Sequence, residues 1–504
     1  MRISYSHLLA FSVGLIIMGV EMTASRFVAP YFGSSTFVWT NVIAVIMIAL
    51  SLGYLSGGKL AEKRAPMVQL QLRLMLSAVF MAIVPFLAAP LSRIFLMDLY
   101  HVASGSVAIL VGSFLLVLLL FFIPTYLLAM TSPYLVGYEA HKGMDPGKSA
   151  GQIFAIGTVG SIIGTFLAPI MLVPLIGSKR TMLVFAGALF LLTFPFLFPL
   201  KRLKKAALLL VVFLPLSASP LLRAHPNLIA QAESSYQFMQ VFDIGGIRRF
   251  VFNEGGGTQS MYKPNAILAG KNYYEVLAMT PTLFPPDRPL NILVLGLAGG
   301  TVTREMDLLY PDRELVMTGV EIDPAVVDLA KTYFDLERER LNIVTMDGRA
   351  FLNTTDEQYD IIIVDAYSNQ LYLPSHMVTR EFFEEVRSRL VDDGMIAINV
   401  NASGADSRLL RVLSNTLVDV FPSTVQTKVA QTWNYVLIGS QQETELLFQN
   451  VPAELVEIQQ MVEESLYDIH FAYDVPVFTD DWAPTEAMMD EMIWDAINAK
   501  ARTE

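Results

Sequence analysis

The stretch Asn291–Thr301, NILVLGLAGGT, decides how this chain is read. Ile292–Leu295 is a short apolar run of the kind that forms a parallel strand buried on both faces. It runs into Gly296, Gly299 and Gly300, and a helical pattern opens at Thr301. Strand, glycine turn and helix is how a doubly wound sheet builds a nucleotide site, because glycine takes φ > 0 and lets the backbone approach a ligand closely. An ordinary tight turn looks the same, so the residues downstream of it must discriminate. About twenty residues on, Val316–Pro324, VMTGVEIDP, predicts a second strand ending in Glu321 and Asp323. An acid there can accept hydrogen bonds from both hydroxyls of a ribose. A third strand over Asn342–Thr345 ends at Asp347–Gly348, and a fourth over Tyr359–Val364 ends at Asp365. Three successive strands thus end in carboxylates, on the rim where open α/β sheets bind ligands.

Around that centre the composition is uneven. Of 504 residues 53% are hydrophobic and 16% charged, and the apolar ones crowd the first 220 positions. This predicts a multi-pass helical membrane domain over 1–224 followed by a water-facing part. Residues 225–290 read as a small β-rich lead-in, with strands at Tyr236–Phe242, Ile247–Phe252 and Thr258–Tyr262 and a helix beginning at Asn272–Thr280. Residues 291–440 read as a Rossmann-like α/β domain. Its fifth strand is Met395–Val400, a polar loop comes next at Asn401–Asp406, and Thr424–Lys428 and Asn434–Gly439 are late strands of antiparallel character. Residues 441–504 read as a mostly helical extension interrupted by the loop Val477–Glu486. The chain has no cysteine, which excludes disulfides, thiolate metal sites and a Cys nucleophile. Its histidines are isolated, so no metal is expected, and His376 near the rim reads as a surface loop residue. A net charge of −12 argues against nucleic acid and suits a small cationic substrate.

Apolar stretches at 7–30, 36–58, 69–97, 103–137, 151–176 and 179–199 can each cross hydrocarbon as a helix, so the lipid bilayer of an inner or plasma membrane is an expected partner. If each crosses once, Arg2, then Lys59, Lys63, Arg64 and Arg73, then Lys142 and Lys148, then the cluster at 201–205 share one side, which should be cytoplasmic. A shorter run at 206–222, with Pro215 and Pro220, decides where the remainder faces. Crossing turns it outward; lying in the interface keeps it in the cytoplasm, the expectation for a domain that uses a nucleotide cofactor. Glu21 and Arg26 lie in or beside the first stretch and read either as a polar site, as a structural pair, or as a snorkelling arginine. Gly53, Gly57, Gly58 and Gly157, Gly160, Gly164 have the spacing of close helix packing, and Pro124 and Pro133 are candidate kinks.

Ser235–Gln237 (SYQ), Gln259, Tyr273–Glu275 (YYE), Gly296–Thr301, Glu321–Pro324 (EIDP), Asp347–Gly348 and Asp365 occur in the order and spacing of the spermidine synthases. Over roughly 225–440 the chain resembles that family, the polyamine aminopropyltransferases. The membrane half and the TDDWAP loop at 479–484 resemble its membrane-fused branch. The resemblance implies a class I methyltransferase-like fold, decarboxylated S-adenosylmethionine as co-substrate, a polyamine such as putrescine as acceptor, and no metal. It also implies a donor lying over Gly296, Ala298, Gly299 and Gly300, with its ribose held by Glu321 beside Asp323 and its adenine contacted at Asp347–Gly348. Asp365, with Tyr273, would deprotonate and orient the amine, while Gln237, Gln259, Tyr274, Glu275, Tyr367 and Ser368 would line the substrate pocket. A sulfonium is a good leaving group, so alignment carries much of such a reaction. An amine attacks only when neutral, so a carboxylate must take its proton.

The chain departs from the family at three positions. Ala298 stands where an Asp grips the donor amine, Ser368 where a second acid follows the catalytic one, and Tyr274 where His is common. Asp480 and Asp481 are expected to supply the missing carboxylates from the C-terminal loop. Three functions stay open: an aminopropyltransferase, a methyltransferase on S-adenosylmethionine itself, and a non-catalytic polyamine or nucleoside transporter or sensor. Ala298 favours the second; the SYQ, Gln259 and YYE positions favour the first; the membrane stretches and Glu21 favour the third. A homodimer is compatible with all three.

Overall fold

A computed structural model describes residues 4–32, 36–100, 105–197, 226–253, 257–367, 372–430, 432–442 and 447–492. The chain forms two compact units. One contains residues 1–225 with 232–238 and 253–255; the other contains 226–231, 239–252 and everything from 256 onward.

The first unit is helical: α1 (Tyr5–Phe32), α2 (Thr36–Glu62), α3 (Met67–Tyr100), α4 (Gly105–Ala129), α5 (Thr131–His141), α6 (Pro146–Phe166) and α7 (Val173–Leu197). Among the described residues, five helical runs are long and apolar enough to cross a membrane. The last of them, Pro146–Thr193, has 48 residues, over twice the roughly 20 that one crossing needs. Gly177 breaks it with φ 80 and ψ 160, which separates the two stretches read at 151–176 and 179–199. The stretch read at 103–137 is likewise two helices, α4 and α5, and the run at 206–222 lies outside the described residues. The glycine spacing marks helix packing. A Cβ on Gly160 would lie 2.0 Å from the Phe11 carbonyl oxygen, and one on Gly164 2.1 Å from that of Leu15, so α6 meets α1 backbone to backbone. Large apolar side chains also face outward, Leu55 at 63% and Leu175 at 70% exposure. Arg26 donates to the Ser235 carbonyl. Beside it Glu233 accepts the Ser178 N–H and hydroxyl, each at 2.7 Å, capping the helix that restarts after Gly177.

The second unit is built on sheets. Strands β1 (Leu228–Glu233), β2 (Phe238–Ile244), β3 (Ile247–Phe252) and β4 (Thr258–Tyr262) lie side by side in that order. The large sheet contains β5 (Leu290–Leu295), β6 (Leu315–Glu321), β7 (Leu341–Thr345), β8 (Tyr359–Val364), β9 (Leu390–Asn401), β10 (Ser423–Lys428), β11 (Asn434–Ser440) and β12 (Tyr467–Ile469). Their order is β12-β10-β11-β9-β8-β5-β6-β7. Strands β9, β8, β5, β6 and β7 are parallel, and β11, β10 and β12 add on antiparallel. Every residue of β8, and all of β5 but Asn291, is buried, as parallel strands covered on both faces require. The winding reverses beside β5, which pairs with β6 on one side and β8 on the other; such a switch point opens a crevice at the strand ends.

Two expectations need correction. The fifth strand starts earlier than Met395 and ends at Asn401, inside the stretch read as a loop. The segment from 441 is not a helical appendage, because Tyr467–Ile469 pairs with β10, and Phe478, Met488 and Met489 are buried in the core cluster of the large sheet.

Candidate functional site

Strand register builds the site. Leu295 pairs with Val320 on one side and Val364 on the other, so Gly296, Glu321 and Asp365, each one residue further on, reach the rim at one level. Val364 in turn pairs with Ile398, which brings Asn399 level with Asp365. Asn401 pairs with Asn434 across the next strand boundary.

The turn after β5 needs its glycines. Gly296 has φ 91, and a Cβ on it would lie 2.5 Å from the Asp365 carbonyl oxygen. Gly300 has φ 73 and precedes the helix Thr301–Leu309. Ala298 also sits in the left-handed region, at φ 46. The turn keeps its N–H groups for its own chain. Gly296 donates to Val320 O at 2.9 Å, Ala298 to Glu321 Oε2 at 2.9 Å, Gly299 to Ser260 Oγ at 2.8 Å and Gly300 to Leu297 O at 2.8 Å. These bonds fix the shape of the turn and keep it open to close approach.

Glu321 is 7% exposed, and its other oxygen accepts the Asp323 N–H at 3.2 Å. Burial pushes its carboxyl up to about 7 against the pull of these backbone donors. Each carboxylate oxygen has a second lone pair, so capacity remains for ligand hydroxyls. Asp323 itself is fully buried as the N-cap of the helix Pro324–Tyr333, accepting the Ala325 N–H at 3.0 Å; it shapes the rim from beneath and does not open onto it.

Asp365 accepts from Asn399 Nδ2 at 2.9 Å and hydrogen-bonds to Tyr273. Burial pushes its carboxyl up to about 7, with both hydrogen bonds acting the other way. Burial, and then the charge of Asp365, hold the Tyr273 phenol above its ordinary range. Tyr367 donates to the Asn399 carbonyl at 2.9 Å and accepts the Asn401 N–H at 3.2 Å. Tyr273, Tyr367 and Asn399 front a cavity of about 220 Å³ also lined by Gln259, Asn272, Asn401, Thr432 and Asn434, together with Gly257 and Thr258. Gln259, Tyr274 and Asp365 also line a narrower cleft beside Gly296 and Gly300.

The structure thus brings together Gly296, Glu321, Asp365, Gln259, Tyr273, Tyr274 and Tyr367. Other expected residues do other work. Glu275 is fully buried and accepts the N–H groups of Gly270 and Asn272, each at 2.7 Å, in a capping box that holds up the helix carrying Tyr273. Gln237 belongs to the helical unit, where its backbone closes a turn with Ser234. Asp347 caps the helix Gly348–Thr354 through Ala350 N, and its other oxygen meets His376 Nε2 at 3.0 Å, so His376 does touch the rim. Burial opposes it, yet the Ala350 N–H and the His376 ring hold the Asp347 carboxyl below its ordinary range. Gly348 packs where a Cβ would lie 2.8 Å from Met377 Cε. Asp480 does not replace the missing acids: both its oxygens are taken by Arg349, at 2.7 and 2.8 Å, with Thr379 a further donor. Asp481 is exposed, and neither cavity includes it. Ser368 lies outside the described residues.

The residues missed from sequence are Asn399, Asn401 and Asn434. Their signal is the alternation Ile398-Asn399-Val400-Asn401, which places two amides on one face of a buried strand.

Residues 270–445 match the Spermine/spermidine synthase domain family. A probable polyamine aminopropyl transferase of Bifidobacterium longum is 34% identical over 216 residues, 42% of this chain and 47% of that protein; the match spans about half of the relative's length. The polyamine aminopropyltransferase of Vibrio vulnificus is 26% identical over 288 residues, 54% of this chain and 94% of that protein. The crystal structure of a probable spermidine synthase from Corynebacterium glutamicum aligns with a TM-score of 0.41 at 20% identity, covering 51% of this chain and 97% of that one.

Proposed function

We propose that the second unit is an aminopropyltransferase acting on decarboxylated S-adenosylmethionine and an amine, carried by a helical unit embedded in a membrane. One observation carries this reading: a rim carboxylate, Asp365, in the cleft beside the glycine turn and level with Glu321, hydrogen-bonded to Tyr273 and Asn399, which line the adjoining polar cavity. The match of residues 270–445 supports the same reaction class.

In this reaction the neutral amine nitrogen attacks the aminopropyl carbon next to the sulfonium. A C–N bond forms, the C–S pair returns to sulfur, and methylthioadenosine leaves. Asp365 takes the proton, a role suited to a carboxyl held at about 7. Tyr273 and Asn399, which line the cavity, hold that carboxylate by hydrogen bonds. Glu321 receives the ribose hydroxyls, and the donor's adenosine lies against the close-approach turn that Glu321 and Ser260 hold in shape. Outward-facing Leu55 and Leu175 and the five long apolar runs support the membrane placement.

The test is release of methylthioadenosine by the full chain in detergent or nanodiscs, given decarboxylated donor and an amine panel. Methyl transfer from S-adenosylmethionine, with no methylthioadenosine from any amine, would replace the reading with a methyltransferase. Ala298 is the residue that favours that second reading, since it offers the donor amine no carboxylate.

A further inference from the structure

We propose that the acceptor in this cavity is a monoamine whose far end is uncharged and hydrogen-bonding, an amino alcohol or amino amide, in preference to a diamine. The proposal rests on the transferase reading and names its acceptor class. A diamine brings a second ammonium at its far end, and burying that charge calls for an anionic partner of its own. Among the described residues lining the cavity, none carries a charge at neutral pH; Asn272, Asn401, Thr432 and Asn434 are all neutral. Asp365, bonded to Tyr273 and Asn399, can serve one nitrogen only.

The amides form a directed chain. Asp365, acting as a base, must be ionised and can only accept, so Asn399 turns Nδ2 toward it and Oδ1 away. Asn434 must then present Nδ2 to Asn399 Oδ1, at 2.9 Å, and the same nitrogen reaches Asn401 Oδ1 at 3.0 Å. This orientation leaves Asn401 Nδ2 as a donor and Asn434 Oδ1 as an acceptor at the end of the chain away from Asp365. A hydroxyl or a primary amide satisfies both. A second ammonium would be desolvated with no opposite charge among the described lining residues. Lys428, whose Nζ donates to the Thr432 carbonyl at 2.7 Å, is not among the lining residues. Asp406, the carboxylate acting on nearby Tyr435, is not among the lining residues.

Binding of aminobutanol, aminobutanamide, putrescine and aminobutyrate to the full chain, measured by calorimetry with methylthioadenosine present, tests the order. The alcohol and the amide should bind roughly tenfold more tightly than putrescine or more. Putrescine or aminobutyrate binding as well or better, or no amine binding at all, would overturn the proposal. Asn401→Asp should shift preference toward putrescine by a similar factor; an unchanged order in this variant and in Asn434→Asp would also overturn it. Turnover is scored separately: the predicted binding order without methylthioadenosine release from any acceptor would remove the transferase reading and leave the selectivity standing.

Discussion

Glu321 Oε2 accepts the backbone N–H of Ala298 at 2.9 Å, so the acid at the end of β6 fixes the shape of the turn that leaves β5. Glu321→Gln keeps an oxygen for that N–H and removes the charge. Affinity for methylthioadenosine should fall roughly 10- to 100-fold, the worth of charge-assisted hydrogen bonds to a ligand. Calorimetry reads this directly, and unchanged affinity would take Glu321 out of the donor site.

Asp365→Asn keeps the size of the side chain and abolishes the base. Turnover should fall about 10²- to 10⁴-fold, while methylthioadenosine binds as before. A loss of donor affinity equal to the loss of rate would assign Asp365 to binding instead.

The same carboxyl sets a pH profile. With Asp365 held at about 7, kcat/KM should rise as pH increases through about 7 and level off above it, because only the ionised form accepts a proton. A profile already flat from about pH 5 to pH 8 would place the base elsewhere.

Stability should run the opposite way. Burial raises Glu275, Glu321 and Asp365 to about 7 each, so between ordinary carboxyl values and that point the folded chain binds more protons than the unfolded one. Stability contributed by these groups is therefore present at low pH and lost as pH rises through about 7. Amide exchange in β5, β6 and β8, corrected for intrinsic rates, should be slower at about pH 5 than at about pH 8.

Asp480→Asn should cost about 1 kcal/mol or less, since its partner Arg349 also holds Glu385 and Asp480 is 46% exposed. Acceptor KM should not move. A large rise in KM would restore Asp480 to the amine site.

Much of the sheet and its rim was readable from the chain. The strands at 292–295 and 359–364 and the acids ending β6 and β8 follow from short apolar runs bounded by glycine and carboxylate. Glu275 and Asp480 misled for one reason: a carboxylate in a motif looks the same whether it faces a ligand, caps a helix or pairs with an arginine 131 positions away. Asn399 and Asn434 escaped because their meaning depends on the β9–β11 register, which joins residues 35 apart. The tail strand β12 is only three residues long, too short to show a period.

The glycines of α1 and α6 carry a mechanical consequence. There is no room for a methyl between Gly160 and Phe11, or between Gly164 and Leu15, so the closeness of these two helices depends on both positions lacking a side chain. The pair is therefore intolerant of any added side-chain atom along this seam, and a methyl at Gly160 or Gly164 would have to push the two backbones apart.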